Sequence, residues 1–335
     1  MCIMAVAVGS HEDFPFVLAH NRDEFFARTA TEVLQDDDGV VAAVDSQSGG
    51  TWMGLAASTG VVAALTNVRC GRAPEPIGTR SRGELVSRVL RGDVAALASS
   101  DFAAFNLLHG RLQADGAPPT LSLSVSSPAS PTPWQTRTSP VLEPGVGAVL
   151  SKSNDHGGAM TAAADGEALA RQRGPVRQGC TWPKAAWLRA EVERTLGGEE
   201  LAAARGEAGA RALLAALEPH LSAASMPARF GELAEGVEPS EWSSLNSNDE
   251  RALHRAPFIA PTEMPVDGAG RGAYGTVSQS VLIQSKAERA VYYAHRQTVP
   301  SGTGPPGSPA APGAWSWRKV DLPASFVRTG ALLGH

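Results

Sequence analysis

The sequence predicts an α+β protein in which antiparallel strands at both ends of the chain share one core. Short apolar runs of strand length recur near the start, with turn residues such as Gly49-Gly50 between them. Helical patterns occupy the middle of the chain, and strand composition returns near residues 275–295. Because the first and last strands would belong to one layered core, we predict a single domain over residues 1–335.

Four predicted strands open the chain. Each is a run of apolar residues bounded by Gly, Asn, Asp or Ser, and the short spacing between runs favours hairpins over βαβ crossovers. The runs are Ile3–Val8, Phe14–Ala19, Val40–Val44 and Val61–Leu65.

The helices follow. Ser81 and Glu84 match the S-x-x-E capping box, and apolar residues between 85 and 90 lie on one helical face. A second helix is expected to begin with Thr181 as N-cap and Pro183 in its first turn, and residues 199–217 form an amphipathic stretch. The remaining predicted strands are Phe102–Leu108, Val146–Leu150, Gly275–Gln284 and Arg289–His295.

Three segments are predicted to be loop insertions. Residues 114–140 are rich in Pro, Ser and Thr, and residues 299–314 are rich in Gly and Pro. Residues 155–180 separate two motifs that are discussed below. We expect residues 114–140 to be a solvated loop and residues 299–314 to be a flexible insert.

Composition excludes several classes of function. A formal net charge of -5 gives no electrostatic footprint for nucleic acid. Three scattered cysteines and unclustered histidines indicate neither a disulfide framework nor a metal site, so no metal or cofactor is predicted. No run reaches the ~20 apolar residues that span a bilayer, and the start lacks a signal-peptide pattern. We therefore expect a cytoplasmic protein with at most peripheral membrane association.

Cys2 is the first candidate for chemistry. Removal of Met1 would leave a thiol and a free α-amine on one residue. The unperturbed amine titrates near pH ~7.7–8.0 and the thiol near ~8.5, so the amine has the strength of a general base at neutral pH. A nucleophile activated by its own terminal amine is a recognised arrangement. The alternative is that Cys2 is an ordinary residue of the first strand.

The polar run His20-Asn21-Arg22-Asp23-Glu24 is the second candidate. It directly follows a predicted apolar strand, where these side chains are costly to bury unless they satisfy one another or a ligand. Arg22 offers five donors in a fixed fork, and Asp23 could accept a hydrogen bond from an ammonium group. The alternative is an exposed charged turn.

Several ordered motifs resemble those of the NRDE family, the transport and Golgi organisation protein 2 family. They are Met1-Cys2-Ile3, LAHNRDEFFAR (18–28), GGTWMG (49–54), ALTN (64–67), SRGELV (81–86), FNLL (105–108), WPK (182–184) and YGT-x-S (274–278). Two positions depart from the family pattern. Val277 stands where the family has an arginine, and Lys152-Ser153 interrupts the Leu-Ser-Asn that would end at Asn154.

This family is similar to N-terminal-nucleophile hydrolases, which implies a four-layer αββα sandwich of antiparallel sheets. Bile-salt and penicillin V acylases are the nearest relatives in that superfamily. By position, the resemblance implies that Cys2 is nucleophile and base and that Arg22 and Asp23 position it. Asn67 is the implied oxyanion donor, worth ~10²–10³ in rate. Asn154 is a second candidate donor, with a loop asparagine as the alternative.

Further residues are candidates for binding. Asn21 and Glu24 belong to the polar run, and Tyr274 and Thr276 belong to the late YGT motif. Trp52 would either line a pocket or pack as plain core, while the glycines before it would allow close backbone approach.

Three functions are consistent with these residues. The resemblance implies a role in Golgi organisation and protein secretion, through lipid or haem handling, with a small amphipathic ligand in the pocket. The second function is a cysteine amidohydrolase that cleaves linear C–N amides through a thioester. The third is haem trafficking, with a thiolate or a histidine as the haem ligand.

Overall fold

The computed structural model confirms the α+β class. It describes residues 2–68, 80–98, 101–127, 135–141, 148–154, 182–228, 230, 247–266, 270–299, 311–324 and 326. These residues contain two antiparallel sheets with helices packed outside them. The predicted insertion at 155–180 and the greater part of the one at 299–314 lie outside the described residues.

The first sheet joins the two ends of the chain. Its central strands are β1 and β2, paired with each other, and β12 and β13 from the C-terminal part. The order is β10-β1-β2-β12-β13-β14, with β11 on β12 and β15 on β13. The bounds are β1 Ile3–Val8, β2 Phe16–Phe25, β10 Ala148–Lys152, β11 Thr262–Val266, β12 Gly270–Ser285, β13 Ala290–Val299, β14 Ala311–Pro312 and β15 Ser316–Asp321.

The second sheet is a meander in which every strand pairs with its neighbour in sequence, in the order β3 to β9. All of these neighbours are antiparallel, so the expectation of hairpins over βαβ crossovers is confirmed, although α1 lies in the connection between β6 and β7. The bounds are β3 Leu34–Gln35, β4 Val40–Ala42, β5 Met53–Ala56, β6 Val61–Asn67, β7 Phe105–Arg111, β8 Thr120–Ser126 and β9 Arg137–Pro140.

The helices complete four layers. The described helices are α1 Arg82–Leu90, α2 Pro183–Leu196, α3 Glu199–Ala202, α4 Gly206–Leu221 and α5 Ser247–His254, with a 3-10 turn at Val94–Ala98. One apolar cluster fills the space between α2, α4 and the first sheet, a second lies between the two sheets, and a third lies between the second sheet and α1. The layers therefore run helix, sheet, sheet, helix.

Several predicted details are wrong. Residues 114–140 are not a loop insertion, because β8 and β9 lie within them and extend the second sheet. At the end of the third predicted insertion, Ala311–Pro312 pairs with β13. Thr181 lies outside the described residues, and the N-cap position of α2 is Trp182, which makes no side-chain cap.

The capping box of α1 forms only in part. The Ser81 hydroxyl accepts the Gly83 N–H at 3.3 Å, as an N-cap should. The Glu84 carboxylate pairs instead with Arg80. Among the described residues, no helix is both long and apolar enough to span a bilayer.

Candidate functional site

Cys2, Arg22 and Asp23 line one cavity of about 360 Å³. The β1–β2 register pairs Ile3 with Asn21, so the start of β1 runs beside the polar end of β2. The N-terminal end of α1 and the loop before β5 form the rest of the wall. The geometry thus brings together the three residues that the sequence predicted to act as a unit.

The thiol of Cys2 is buried, with 6% of the residue exposed. Burial raises the pKa of this thiol, and the Asp23 carboxylate adds to the rise, while the charge of the terminal ammonium, the Asp23 backbone N–H and the Arg22 guanidinium oppose it. The thiol is therefore protonated at rest. It would need a base to become a nucleophile.

A hydrogen-bond chain fixes the backbone at Cys2. The Ser153 hydroxyl donates to the Cys2 carbonyl at 2.8 Å. The Ser153 carbonyl in turn accepts from the Thr66 hydroxyl at 2.8 Å and from Asn106 Nδ2 at 3.0 Å. All four residues are buried, so the chain joins the first strand to both sheets in a low-dielectric interior.

The polar run is a strand and not a turn, because β2 continues to Phe25. Side chains on a strand alternate between its faces. Val17 and Ala19 pack in the helix-side cluster, whereas Phe16 and Leu18 pack between the sheets. By the same alternation Asn21 and Asp23 point to the helix layer, and Arg22 points between the sheets.

Arg22 is held by a buried ion pair. Its guanidinium pairs with the Asp45 carboxylate, donates to the Arg28 carbonyl at 3.2 Å and lies 4.7 Å from the centre of the Trp52 ring. Arg28 also pairs with Asp45, at 2.7 Å, and with Glu24, at 3.1 Å. Arg22 is therefore fixed by groups other than Asp23, its neighbour in sequence.

Asp45 is a site residue that the sequence did not reveal. One carboxylate oxygen accepts the backbone N–H groups of Gln47 and Ser48 at 3.0 and 2.8 Å, which caps the turn before Gly49. Burial would raise the pKa of Asp45. The Ser48 amide and the charges of Arg22 and Arg28 outweigh burial and hold this pKa below its ordinary value. The sequence shows the D-x-x-S turn pattern at Asp45, but it does not show that Asp45 pairs with Arg22, 23 residues earlier.

Asp23 lies in a second polar cluster on the helix side of the sheet. Its carboxylate accepts the Thr276 hydroxyl at 2.7 Å and lies 3.4 Å from Lys184 Nζ. The Tyr274 hydroxyl donates to the Asp23 carbonyl at 3.0 Å. Tyr274 and Thr276 thus contact Asp23 but do not line the cavity, and their role in binding stays a prediction. The structure also adds Lys184, which the WPK motif contained but to which no role was assigned.

Of the two candidate oxyanion donors, Asn67 lines the cavity with Cys2 and Asn154 does not. Asn67, the last residue of β6, lines the cavity and makes no hydrogen bond to another described residue through its side chain. Asn154 follows β10, whose register places Lys152 opposite Met4. Two further steps of that register put Asn154 across from Cys2. Its buried Oδ1 has no partner within the described part of the chain.

Asn21 is not a pocket residue, contrary to the prediction. Its amide donates to the Leu221 carbonyl at 2.9 Å and the Pro257 carbonyl at 3.0 Å, and its oxygen accepts from Gln279 at 3.1 Å. With these hydrogen bonds it ties β2 to the end of α4. Glu24 does line the cavity, where its carboxylate pairs with Arg28.

Trp52 both lines the cavity and belongs to the hydrophobic core. It lines the cavity beneath Arg22 and also packs in the cluster between the sheets. The predicted close approach at the glycines before it is confirmed. A Cβ on Gly50 would lie 2.6 Å from the Gly83 carbonyl carbon, so only glycine lets this loop touch the start of α1.

A larger groove adjoins the cavity. It has a volume of about 880 Å³ and shares Ser48, Gly50, Thr51, Arg80 and Ser81 with the cavity wall. Its other walls combine aliphatic groups with the polar face of α1; the aliphatic residues are Leu34, Val40, Ala42 and Val44. A ligand in the cavity could extend into this amphipathic groove.

The described residues hold no group of three or more His, Cys, Asp or Glu side chains arranged for a metal ion. Burial lowers the pKa of His20, the first residue of the polar run, to about 4. It is neutral at physiological pH, and one ring nitrogen bonds to the Leu65 carbonyl at 2.9 Å.

Comparison with known proteins gives one result. A family model described as Transport and Golgi organisation 2 matches residues 1–298. No curated protein matches the chain.

Proposed function

The chain belongs to the Transport and Golgi organisation 2 family, and from the geometry of its site we propose that it is an N-terminal cysteine amidohydrolase acting on linear C–N amides. The observation that carries the proposal is the shared cavity of Cys2, Arg22, Asp23 and Asn67. Those four positions supply a nucleophile, two charged groups beside it and an amide donor for a developing negative charge. The fold that this proposal implies is that of the N-terminal-nucleophile hydrolases.

The first half-reaction forms a thioester. Once Met1 is removed, the neutral α-amine of Cys2 takes the proton from its own thiol. The thiolate attacks the amide carbonyl carbon, a C–S bond forms, and the carbonyl π electrons move onto oxygen. Asn67 would donate to that oxyanion. When the intermediate collapses, the C–N bond breaks and the leaving nitrogen takes the proton from the α-ammonium.

The second half-reaction restores the enzyme. The α-amine takes a proton from water, and the resulting hydroxide attacks the thioester carbonyl. The C–S bond breaks, a carboxylic acid leaves, and the thiolate takes back the proton. The sum is one amide plus one water giving one acid plus one amine. Because the resting thiol is protonated, the first half needs a base, and the same amine would serve the second half once the leaving nitrogen has taken its proton.

The ligand that fits best is a small amphipathic amide. The reacting carbonyl would lie in the charged cavity, and an apolar portion would lie against the aliphatic wall of the adjoining groove. Ligand pockets of roughly 300–1,000 Å³ hold molecules of this size. No nucleic acid is expected as a partner, because the net charge is -5.

The cellular role proposed with this chemistry is the one that the family description names. Turnover or binding of an amphipathic amide would connect the site to lipid handling, and through it to Golgi organisation and protein secretion. The protein would then reach membranes only peripherally, from the cytoplasmic side. Haem is the second ligand that the resemblance implies, and Cys2 would be its thiolate ligand.

The test begins with the mature N-terminus. Mass spectrometry should show that Met1 is absent and Cys2 is first. Iodoacetamide should then label Cys2 at least ~10-fold faster than Cys70 or Cys180, since selective reactivity needs an activated thiol. Cys2→Ala removes the site and Cys2→Ser keeps its size, so both should abolish the fast phase without loss of folding.

Two results would count against the proposal. A retained Met1 leaves the amine on the wrong residue and defeats the hydrolase mechanism. Equal labelling of all three cysteines means that the cavity does not activate the thiol. If haem is the ligand, titration with haem should instead give a spectrum that changes in Cys2→Ala.

A further inference from the structure

Lys184 is a buried cation in an unfavourable place. It is the second residue of α2 and is 0% exposed. The amino-terminal end of a helix carries a partial positive charge, so a lysine in the first turn is repelled by its own helix. A buried ammonium also loses its hydration. A position that is costly on both counts points to a role beyond packing.

The contacts of Lys184 identify that role. Its Nζ lies 3.4 Å from the Asp23 carboxylate, and both side chains are completely buried. The other carboxylate oxygen receives the Thr276 hydroxyl at 2.7 Å, and that hydroxyl oxygen accepts the Ile259 N–H at 2.8 Å. The carboxylate of Asp23 is therefore held from two sides, by α2 and by β12.

Asp23 is next to the start of the chain. The register that pairs Ile3 with Asn21 runs antiparallel, so the backbone nitrogen of Cys2 lies on the Asp23 side of the Cys2–Arg22 pair. The thiol is close enough to feel both the Asp23 carboxylate and its backbone N–H. A group that fixes Asp23 therefore acts on both ends of the proposed nucleophile.

We propose that Lys184 is a positioning residue of the Cys2 site, which orients and charge-balances Asp23 so that its carboxylate can accept a hydrogen bond from the amine of mature Cys2. This rests on the hydrolase function proposed above. Lys184 itself touches no reacting atom. Its effect on Cys2 passes through Asp23.

The charged surroundings of Cys2 decide the sign of the effect. Arg22, Asp23, Glu24, Arg28, Asp45, Arg80 and Arg82 are the charged residues that line the cavity with Cys2, Lys184 lies behind Asp23, and His20 is neutral. Loss of the ammonium of Lys184 removes one positive charge from beside the Asp23 carboxylate. Since that carboxylate already raises the pKa of the thiol, the thiol should become harder to deprotonate.

The experiment measures the rate at which iodoacetamide labels Cys2 from about pH 6 to about pH 11, a range that contains a midpoint raised above that of an ordinary thiol. In Lys184→Met the pH midpoint of labelling should rise by about one unit, which lowers the rate at neutral pH about tenfold. Lys184→Arg keeps the charge and should restore most of the rate. If the methionine variant fails to fold, Lys184→Gln provides the neutral substitution with a remaining donor.

Asp23→Asn supplies the matched control. In that background the carboxylate is gone, so Lys184→Met should no longer shift the midpoint. An unchanged midpoint in folded Lys184→Met, or an equal shift with and without Asp23, would overturn the positioning role. Selective Cys2 labelling that does not respond to Lys184 rejects this inference alone, whereas a retained Met1 rejects the hydrolase function as well.

Discussion

Asp45→Asn should destabilise the protein by about 3 kcal/mol, because it leaves the Arg22 guanidinium buried without its counter-ion. Breaking one side of a buried ion pair typically costs ~3–5 kcal/mol. The lower end applies because Arg22 keeps the Trp52 ring face at 4.7 Å and the Arg28 carbonyl at 3.2 Å. Asparagine keeps an oxygen for the amides that the carboxylate accepts at 2.8 and 3.0 Å, so the turn should survive.

Two further variants separate the contribution of the Asp45 charge from that of its hydrogen bonds to the turn. Asp45→Ala loses the turn hydrogen bonds as well and should cost about 1 kcal/mol more than Asp45→Asn. Arg28→Met is the control at the same carboxylate. The side chain of Arg28 is 33% exposed, whereas that of Arg22 is 6% exposed. The ion pair between Arg28 and Asp45 should therefore contribute at most ~1 kcal/mol to stability. Urea unfolding at pH 7, followed by tryptophan fluorescence, measures all three without added salt.

The pH dependence gives an independent check. The folded pKa of Asp45 lies below its unfolded value near ~3.9. Its contribution is therefore fully present above that value and is lost as pH falls through the folded pKa. The difference between wild type and Asp45→Asn should shrink only in acid. A cost below ~1 kcal/mol at pH 7, or an Arg28→Met cost as large as that of Asp45→Asn, would refute the reasoning.

Two other predictions concern the stability effects of Gly50 and of three buried histidines. Gly50→Ala should cost about 2–3 kcal/mol in urea unfolding, because its Cβ would meet the Gly83 backbone at 2.6 Å; an unchanged midpoint would mean that the loop moves freely. Stability should also fall as pH drops from ~6.5 towards 4. Burial lowers the folded pKa of three histidines to about 4, so the unfolded chain takes up protons first. The free energy of unfolding should therefore fall by about 2 kcal/mol per buried histidine between pH 7 and 5. The three histidines are His20, His109 and His295. Replacing one of them by glutamine should lower the slope of unfolding free energy against pH by roughly one proton. An unaltered slope would contradict the lowered pKa of that histidine.

The strands and α1 were predictable because their signals are local. Apolar runs bounded by turn residues located β1, β4 and β6, and Ser81 marked the start of α1. β8 was missed for an instructive reason. The Pro, Ser and Thr content of 114–140 suggested a loop, yet residues 120–126 read T-L-S-L-S-V-S, with the apolar members buried. Alternation predicts a strand even where composition resembles a loop.

The site was predictable only where a motif carried it. The motifs pointed to Cys2, Arg22 and Asp23, and one cavity is lined by all three, while their roles stay predictions. Asp45 and Lys184 were not found, because each matters through a partner 23 or 161 residues away that only the folded chain reveals. The sequence did not show which side of the sheet the Asn21 side chain faces. The predicted strand ended at Ala19, whereas β2 continues to Phe25, so the alternation of side chains along a strand was not applied to the polar run.

That alternation explains why charged residues occur in the middle of a buried sheet. In the mechanism proposed above, the thiol and the α-amine of Cys2 leave the same Cα in different directions, one as side chain and one as backbone nitrogen. A strand offers groups to both sides in turn. Arg22 faces the thiol between the sheets, and Asp23 faces the helix layer, where Lys184 and Thr276 hold it. The β-bulge between Thr276 and Ser278 keeps each residue opposite its β2 partner despite the inserted Val277. A site built for a side chain alone would need polar groups on one face; this strand is polar on both.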